Sequence, residues 1–214
     1  MVSMSSSIIY EQLSDFVVQE VSSAISLNFS IREPISKSVG ATPKMLEKLF
    51  LPILSDTRVQ NFAWVAKHHD LVVGAIICGV FEDLVEESST LEQYDESLRP
   101  IVSLLGSLEQ EFLLKNQPHK KQILYQYATY VNEEFANRGI ATNLYTISEK
   151  QAKDKGFKKL ITISTGPISQ YIRRNKLNFI NEIEAKYSEF VFQDELPFAS
   201  IEGVDSCVLL SKSI

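Results

Sequence analysis

The run ILYQYATYV at residues 123–131 constrains the fold most. Its β-branched and aromatic side chains suit a pleated, buried strand. The segments beyond it are as regular. NEEFANRGIA is a turn-like segment that ends in a helix start, and residues 141–155 are an amphipathic helix with Leu144, Ile147 and Ala152 inward. Gly156 is placed to end that helix. KKLITIST then reads as a buried strand, residues 168–176 as a second short helix, and EAKYSEFVF and SCVLLSK as two final strands. Strand, loop, helix, strand, helix, strand is an α/β order, with helices covering a sheet.

The first half is more broken. IIYEQL is strand-like. Residues 14–27 carry Phe16, Val17, Val21, Ala24, Ile25 and Leu27 at near-helical spacing, with Ser14 as N-cap. Pro34 and Pro43 interrupt the next stretch, and Gly40 ends the turn between them. Another helix starts after Thr42, with Pro43 at its first position. NFAWVAKHHDLVVGAIICGVF reads as strand, turn at residues 68–70, strand, which is an antiparallel hairpin. Residues 82–117 begin acidic and then repeat Leu98, Ile101, Leu104, Leu105, Leu108, Phe112 and Leu113. That is a helical insertion with its own apolar face.

Residues 131–142, VNEEFANRGIAT, carry the chemistry. They join a strand to a helix, and free backbone N–H groups with the positive end of the helix dipole collect at such a start. Phosphate binds there readily. Gly139 and Ala141 are small enough for a ligand to approach the backbone, Arg138 adds a full charge, and Thr142 adds a hydroxyl. A plain strand–helix connection containing one glycine accounts for the same residues equally well.

The order of elements decides between them. Ala136-Asn-Arg-Gly139-Ile-Ala141 resembles the acetyl-CoA-binding motif Arg/Gln-x-x-Gly-x-Gly/Ala of the GCN5-related N-acetyltransferase superfamily, with Ala136 standing where Arg or Gln is usual. Lys176-Leu-Asn-Phe179 resembles that family's K-L-G-F helix ending, and Asn178 replaces glycine at a left-handed cap position. The resemblance implies an acyl-CoA N-acyltransferase fold: a mostly antiparallel sheet in mixed α/β layers, with one splayed parallel pair that admits the cofactor's pantetheine arm. It implies one domain over residues 8–214, with an insertion at about 84–118. It implies acetyl-CoA contacts from Tyr130, Val131, Asn137, Arg138, Gly139, Ile140, Ala141 and Thr142.

A narrower resemblance lies upstream. Phe29-Ser-Ile-Arg-Glu33-Pro34-Ile35 looks like the F…EP segment of the insect arylalkylamine (dopamine-type) N-acetyltransferases, which also carry a long helical insertion. It makes Glu33 the general base; a cap before Pro34 is the structural alternative. Amine acetylation needs such a base, because a protonated amine cannot attack a thioester. It also needs a donor for the leaving thiolate. Many family members place a tyrosine five residues before the phenylalanine of the helix ending, a position held here by Arg174. Tyr171 is the nearest tyrosine, and Ser164 and Ser169 are further candidates by resemblance to the insect enzymes, at offset spacing.

Composition sets the outer limits. A net charge of −6 argues against nucleic acid or an anionic membrane as partner. Cys78 and Cys207 sit in apolar runs and form no metal-ligand spacing, so no metal is expected. MVSMSSSIIY lacks the basic and apolar regions of a signal peptide, and no run suits a bilayer span, which makes a cytoplasmic location the default expectation. His68, His69 and His119 read as surface residues, and Glu82, Asp83, Glu86 and Glu87 as a solvated face. The expected activity is transfer of acetyl from acetyl-CoA to a small primary amine, of arylalkylamine or polyamine type. A protein or peptide acetyltransferase and a non-catalytic acyl-CoA-binding regulator are the alternatives.

Overall fold

The computed structural model describes residues 7–86, 91–116 and 122–214. Seven strands form one sheet: β1 (Ile9–Gln12), β2 (Trp64–His68), β3 (Leu71–Val80), β4 (Ile123–Val131), β5 (Lys159–Ser164), β6 (Ile180–Lys186) and β7 (Ser206–Ser213), in the order β1-β2-β3-β4-β5-β7-β6. Every neighbouring pair is antiparallel except β4 and β5, which run parallel. This is the mixed α/β sheet expected from the sequence.

Two irregularities open the centre of the sheet. The ladder between β4 and β5 holds only Ile123 to Tyr125 against Lys159 to Ile161, although both strands continue past it. On the other side of β4, Gln126 faces Cys78 and Ala128 faces Ile77, so Tyr127 is an extra residue in a bulge. A bulge bends its strand and re-aims the residues beyond it. From Gln126 onward, β4 therefore has an edge free of ladder partners inside the sheet.

Helices cover both faces. On one side lie α1 (Val18–Arg32), α2 (Pro34–Ser38), α3 (Pro43–Ser55), α4 (Thr57–Gln60), α5 (Phe81–Glu86) and α6 (Arg99–Asn116). Ile25, Phe50, Leu104 and Phe112 from them pack with Ala75, Ile77 and Tyr125 of the sheet. On the other side, α7 (Ile140–Asp154) buries Leu144, Tyr145 and Ala152 against Ile76, Cys78, Leu124 and Leu160. The strand β3 feeds both clusters alternately, which is why its sequence reads as a near-continuous apolar run. The chain then forms α8 (Pro167–Tyr171), which continues into a π-helical turn at Ile172–Lys176.

Local signals set several boundaries. Pro43 opens α3, and Thr42 caps it by accepting from the Met45 N–H at 3.3 Å. Asn178 takes a positive φ of 59° after the π turn, as a left-handed cap requires.

Other expectations are corrected. The first helix begins after a 3-10 turn at Asp15–Val17 and runs on to Arg32, past the expected end at Leu27, and Ser14 makes no side-chain cap. Phe16 and Leu27 are exposed rather than inward. The sixth strand covers Ile180–Lys186 and shares only residues 184–186 with the EAKYSEFVF stretch, because antiparallel pairing with β7 sets its register and the chain turns at Tyr187. Glu82 and Asp83 are half-buried in α5 rather than on a solvated face. Glu87, His119 and the first six residues lie outside the described residues.

Candidate functional site

One cavity of about 540 Å³ passes beside the open stretch of β4. At one end lie Gly139, Ile140, Ala141 and Thr142 at the start of α7. Gly139 is the N-cap, with φ +76°, and no side chain caps the helix. A Cβ built on Gly139 would meet nothing within 4 Å. The first helical N–H groups thus face a space that an anion can enter. Asn137 also takes a positive φ, 60°, so the loop turns back on itself and concentrates backbone donors.

The middle of the cavity is walled by the two separating strands. Ala128, Tyr130 and Val131 of β4 line it, with Thr162 and Ser164 of β5 opposite. The Thr162 hydroxyl donates to the Gln126 carbonyl at 2.9 Å, just where the ladder ends. The Tyr130 side chain is 4% exposed and its hydroxyl has no hydrogen-bond partner among the described residues; burial raises its pKa. The far end is apolar and aromatic, formed by Phe29, Phe50, Leu98, Ile101, Tyr125 and Tyr127. Two of these, Leu98 and Ile101, come from the expected insertion, so that segment walls the cavity.

Glu33 lines the same cavity. It is also the N-cap of α2, accepting from the N–H groups of Ile35 at 3.2 Å and Ser36 at 2.7 Å. The Pro34 ring forces Glu33 out of the helical region, to φ −80° and ψ 124°, and so separates α1 from α2. Both readings of Glu33, cap and cavity carboxylate, therefore describe the same side chain.

The remaining candidates divide. Ser164 is buried on the wall, and Ser169 lines the cavity while donating to the Gly166 carbonyl at 2.9 Å. Tyr171 is 56% exposed and outside the cavity lining. Arg138 is also outside it: its guanidinium donates to the Glu134 carbonyl at 3.1 Å and rests 4.8 Å from the centre of the Phe135 ring. The side chain that was expected to meet phosphate is thus held back against its own loop.

Sequence reasoning missed two groups. Arg173 is 2% exposed and lines the cavity from the π turn. Glu109 of α6 is 5% exposed, and burial pushes its carboxyl up to about 7 although Tyr125 donates a hydrogen bond to it. The folded state therefore holds the Glu109 proton more tightly than the unfolded chain does. Its contribution to stability is complete below about pH 4.5 and is lost as pH rises to about 7. Glu109→Gln is expected to stabilise the fold by up to about 3 kcal/mol near pH 8 and to change nothing at acidic pH. Urea unfolding at the two pH values checks this, and an equal effect at both would remove the ionisation from the explanation.

Among the described residues no cluster of His, Cys, Asp and Glu could hold a metal ion. Among them, too, no helix is long and apolar enough to cross a membrane.

Solved structures with this fold include arylalkylamine N-acetyltransferase 2 from Aedes aegypti, at 23% identity over 97% of this chain and 99% of that one, with a TM-score of 0.78. The polyamine N-acetyltransferase of Drosophila melanogaster, which catalyses formation of N-acetylagmatine, matches at 14% identity, 97% and 100% coverage and a TM-score of 0.80. The C-terminal condensation domain of Ebony, solved with beta-alanyl-dopamine, matches at 15% identity, 97% and 99% coverage and a TM-score of 0.82. At these identities the likeness is one of fold. No curated protein sequence matches significantly. Residues 36–170, well over half of the chain and running from α2 into α8, match the Acetyltransferase (GNAT) family, and the chain belongs to that family.

Proposed function

We propose that this protein transfers an acetyl group from acetyl-CoA to the primary amine of a small arylalkylamine. One observation carries the reading: the cavity joins an uncapped helix start to a pocket of aromatic and aliphatic side chains, and Glu33 is the one carboxylate among its described lining residues. A polyamine brings further cations that would need further carboxylates. An arylalkylamine brings one cation and a ring that gains from apolar burial. The relatives of known structure whose names specify arylalkylamines and polyamines span both options, and the lining favours the first. Walling of the pocket by α6 also favours a small acceptor over a peptide.

The residues present suit acetyl-CoA. Gly139 leaves open space at the helix start, and the free edge of β4 offers backbone groups to an extended amide chain. When bound, acetyl-CoA supplies an acyl group activated as a thioester. Asn137, Gly139, Ile140, Ala141 and Thr142 would receive its phosphates through backbone N–H groups, with Tyr130 and Val131 alongside the arm. Arg138, turned toward Glu134, is not needed in this arrangement. Glu33 takes the ammonium proton, directly or through one water, and leaves a neutral amine able to attack. Backbone N–H groups of β4 beyond the bulge stabilise the oxyanion. Ser164 is a hydroxyl-bearing residue on this wall; the hydroxyl of Ser169 is already engaged. The same reading treats residues 8–214 as one catalytic domain, with 84–118 as its insertion.

Purified protein given acetyl-CoA should release free CoA fastest with phenethylamine-type amines, with kcat/KM at least about tenfold above that for spermidine. A preference for spermidine or for peptide amino termini would overturn the substrate class. CoA binding without release across the whole panel would identify a non-catalytic binding protein.

A further inference from the structure

Counting back five residues from Phe179 along a regular helix reaches Arg174, yet Arg174 does not enter the cavity. It hydrogen-bonds to the side chains of Asn181 at 2.8 Å and Gln170 at 3.1 Å. The π turn at Ile172–Lys176 is the reason. A π turn holds one more residue than an α turn, so it shifts the inward position by one. Arg173 is the residue that points in.

Its surroundings are unusual for a guanidinium. It stacks 3.6 Å from the centre of the Tyr145 ring and 5.0 Å from that of Phe179, and donates to the side-chain oxygen of Gln126. Gln126 in turn donates to the Ser148 hydroxyl at 3.0 Å, and the Cys78 thiol is 3.2 Å from that same hydroxyl. Burial pushes the Cys78 thiol up to about 12, so it stays neutral. Among the described residues no carboxylate forms an ion pair with Arg173. Burial lowers the pKa of Arg173, but a guanidinium remains protonated in proteins. A buried cation held only by neutral groups is costly, and such a charge calls for an anion.

Position says which anion. Gln126 is the first β4 residue beyond the last ladder pair, Tyr125 with Ile161, so Arg173 stands at the inner end of the gap between β4 and β5. Tyr145 lies five residues into α7, about 7 Å below the helix start. The cation is therefore displaced from the phosphate end of the cavity, toward where the thioester would lie.

We propose that Arg173 holds the negative charge on the CoA sulfur as the thioester breaks. This rests on the acetyl-transfer reading above. The amine nitrogen forms its bond to the carbonyl carbon, the carbon–sulfur bond breaks, and its electron pair stays on sulfur. Two protons leave the nitrogen in all: the first passes to Glu33 before attack, and the second is lost to solvent as the tetrahedral adduct collapses; sulfur takes up a proton from solvent afterwards. Arg173 donates hydrogen bonds and charge to sulfur throughout and transfers no proton.

The test is the ionisation of CoA bound to the protein, followed by ultraviolet absorbance of the thiolate across a pH series. Bound to the wild-type protein, CoA is expected to hold at least about tenfold more thiolate near neutral pH than free CoA. That excess should vanish in Arg173→Gln and largely survive in Arg173→Lys. In Arg173→Gln, kcat should fall about a hundredfold, while affinity for desulfo-CoA stays within about twofold of wild type, since that ligand has no sulfur to stabilise. Unchanged thiol ionisation on binding to the wild-type protein overturns the proposal, and this measurement needs no variant to fold. Equal loss of affinity for CoA and desulfo-CoA in Arg173→Gln, with unaltered ionisation, assigns Arg173 to structure instead. Failure of desulfo-CoA to bind the wild-type protein would refute the CoA site itself, a separate result.

Discussion

Gly139→Val is expected to lower CoA affinity at least about a hundredfold while the protein still folds. The expected loss is that of two charge-assisted hydrogen bonds, each worth about 1.5 kcal/mol or more. Both halves of the expectation come from the same backbone. Gly139 holds φ at +76°, where a side chain costs about 1–2 kcal/mol, and it is exposed, so no core contact is lost. A domain with the usual 5–15 kcal/mol of stability survives that strain. The open space around its Cβ position adjoins the cavity, so the valine methyl groups would stand between an incoming phosphate and the N–H groups of Ile140 and Ala141. Gly139→Ala separates the causes: it places a Cβ at the same positive φ with less bulk, and should lose clearly less affinity. Calorimetric titration with CoA alongside thermal melts reads both. A normal melt with unchanged affinity would remove the loop from the site.

How much of the molecule is legible in its sequence depends on how local each cause is. The strand at Ile123–Val131, the turn before Leu71, the cap at Thr42 and the left-handed Asn178 all depend on residues a few positions apart, and all stand where the pattern puts them. The loop at Gly139 is legible for the same reason. The sequence pattern misplaces strand β6 because FVF has strong strand propensity, whereas pairing with β7, twenty and more residues away, selects Ile180–Lys186. The positions of Arg138 and Arg173 are less legible. Helix-start electrostatics favour Arg138, but the Phe135 ring and the Glu134 carbonyl retain it. Arg173 is one of two adjacent arginines, and only the extra residue of the π turn decides which faces inward. Counting in steps of an α-helix cannot reveal that. Glu109 looks like one polar residue on an amphipathic helix; its hydrogen-bond partner, Tyr125, lies on a strand that comes after the helix in sequence.

In the proposed mechanism Glu33 carries two functions in one carboxylate, and paired variants should separate them. Its oxygens cap α2 through the N–H groups of Ile35 and Ser36, and the same group lines the cavity. In Glu33→Gln one oxygen still accepts from the backbone, so the cap persists in part, but the side chain can no longer receive a proton. Stability should stay within about 1 kcal/mol of wild type, and kcat/KM at neutral pH should drop about a hundredfold to a thousandfold. The deficit should shrink as pH rises, because a growing fraction of the amine is already neutral and needs no base. Glu33→Ala should show the same rate profile and also lose about 1 kcal/mol of stability, since the cap is then gone. Urea unfolding and pH–rate curves on both variants are the measurements. If both variants raise KM alone, with kcat unchanged at every pH, Glu33 is a cap and binding group, and the proton must leave by another route. If Glu33→Gln is slow by the same factor at every pH, the carboxylate orients the amine rather than deprotonating it.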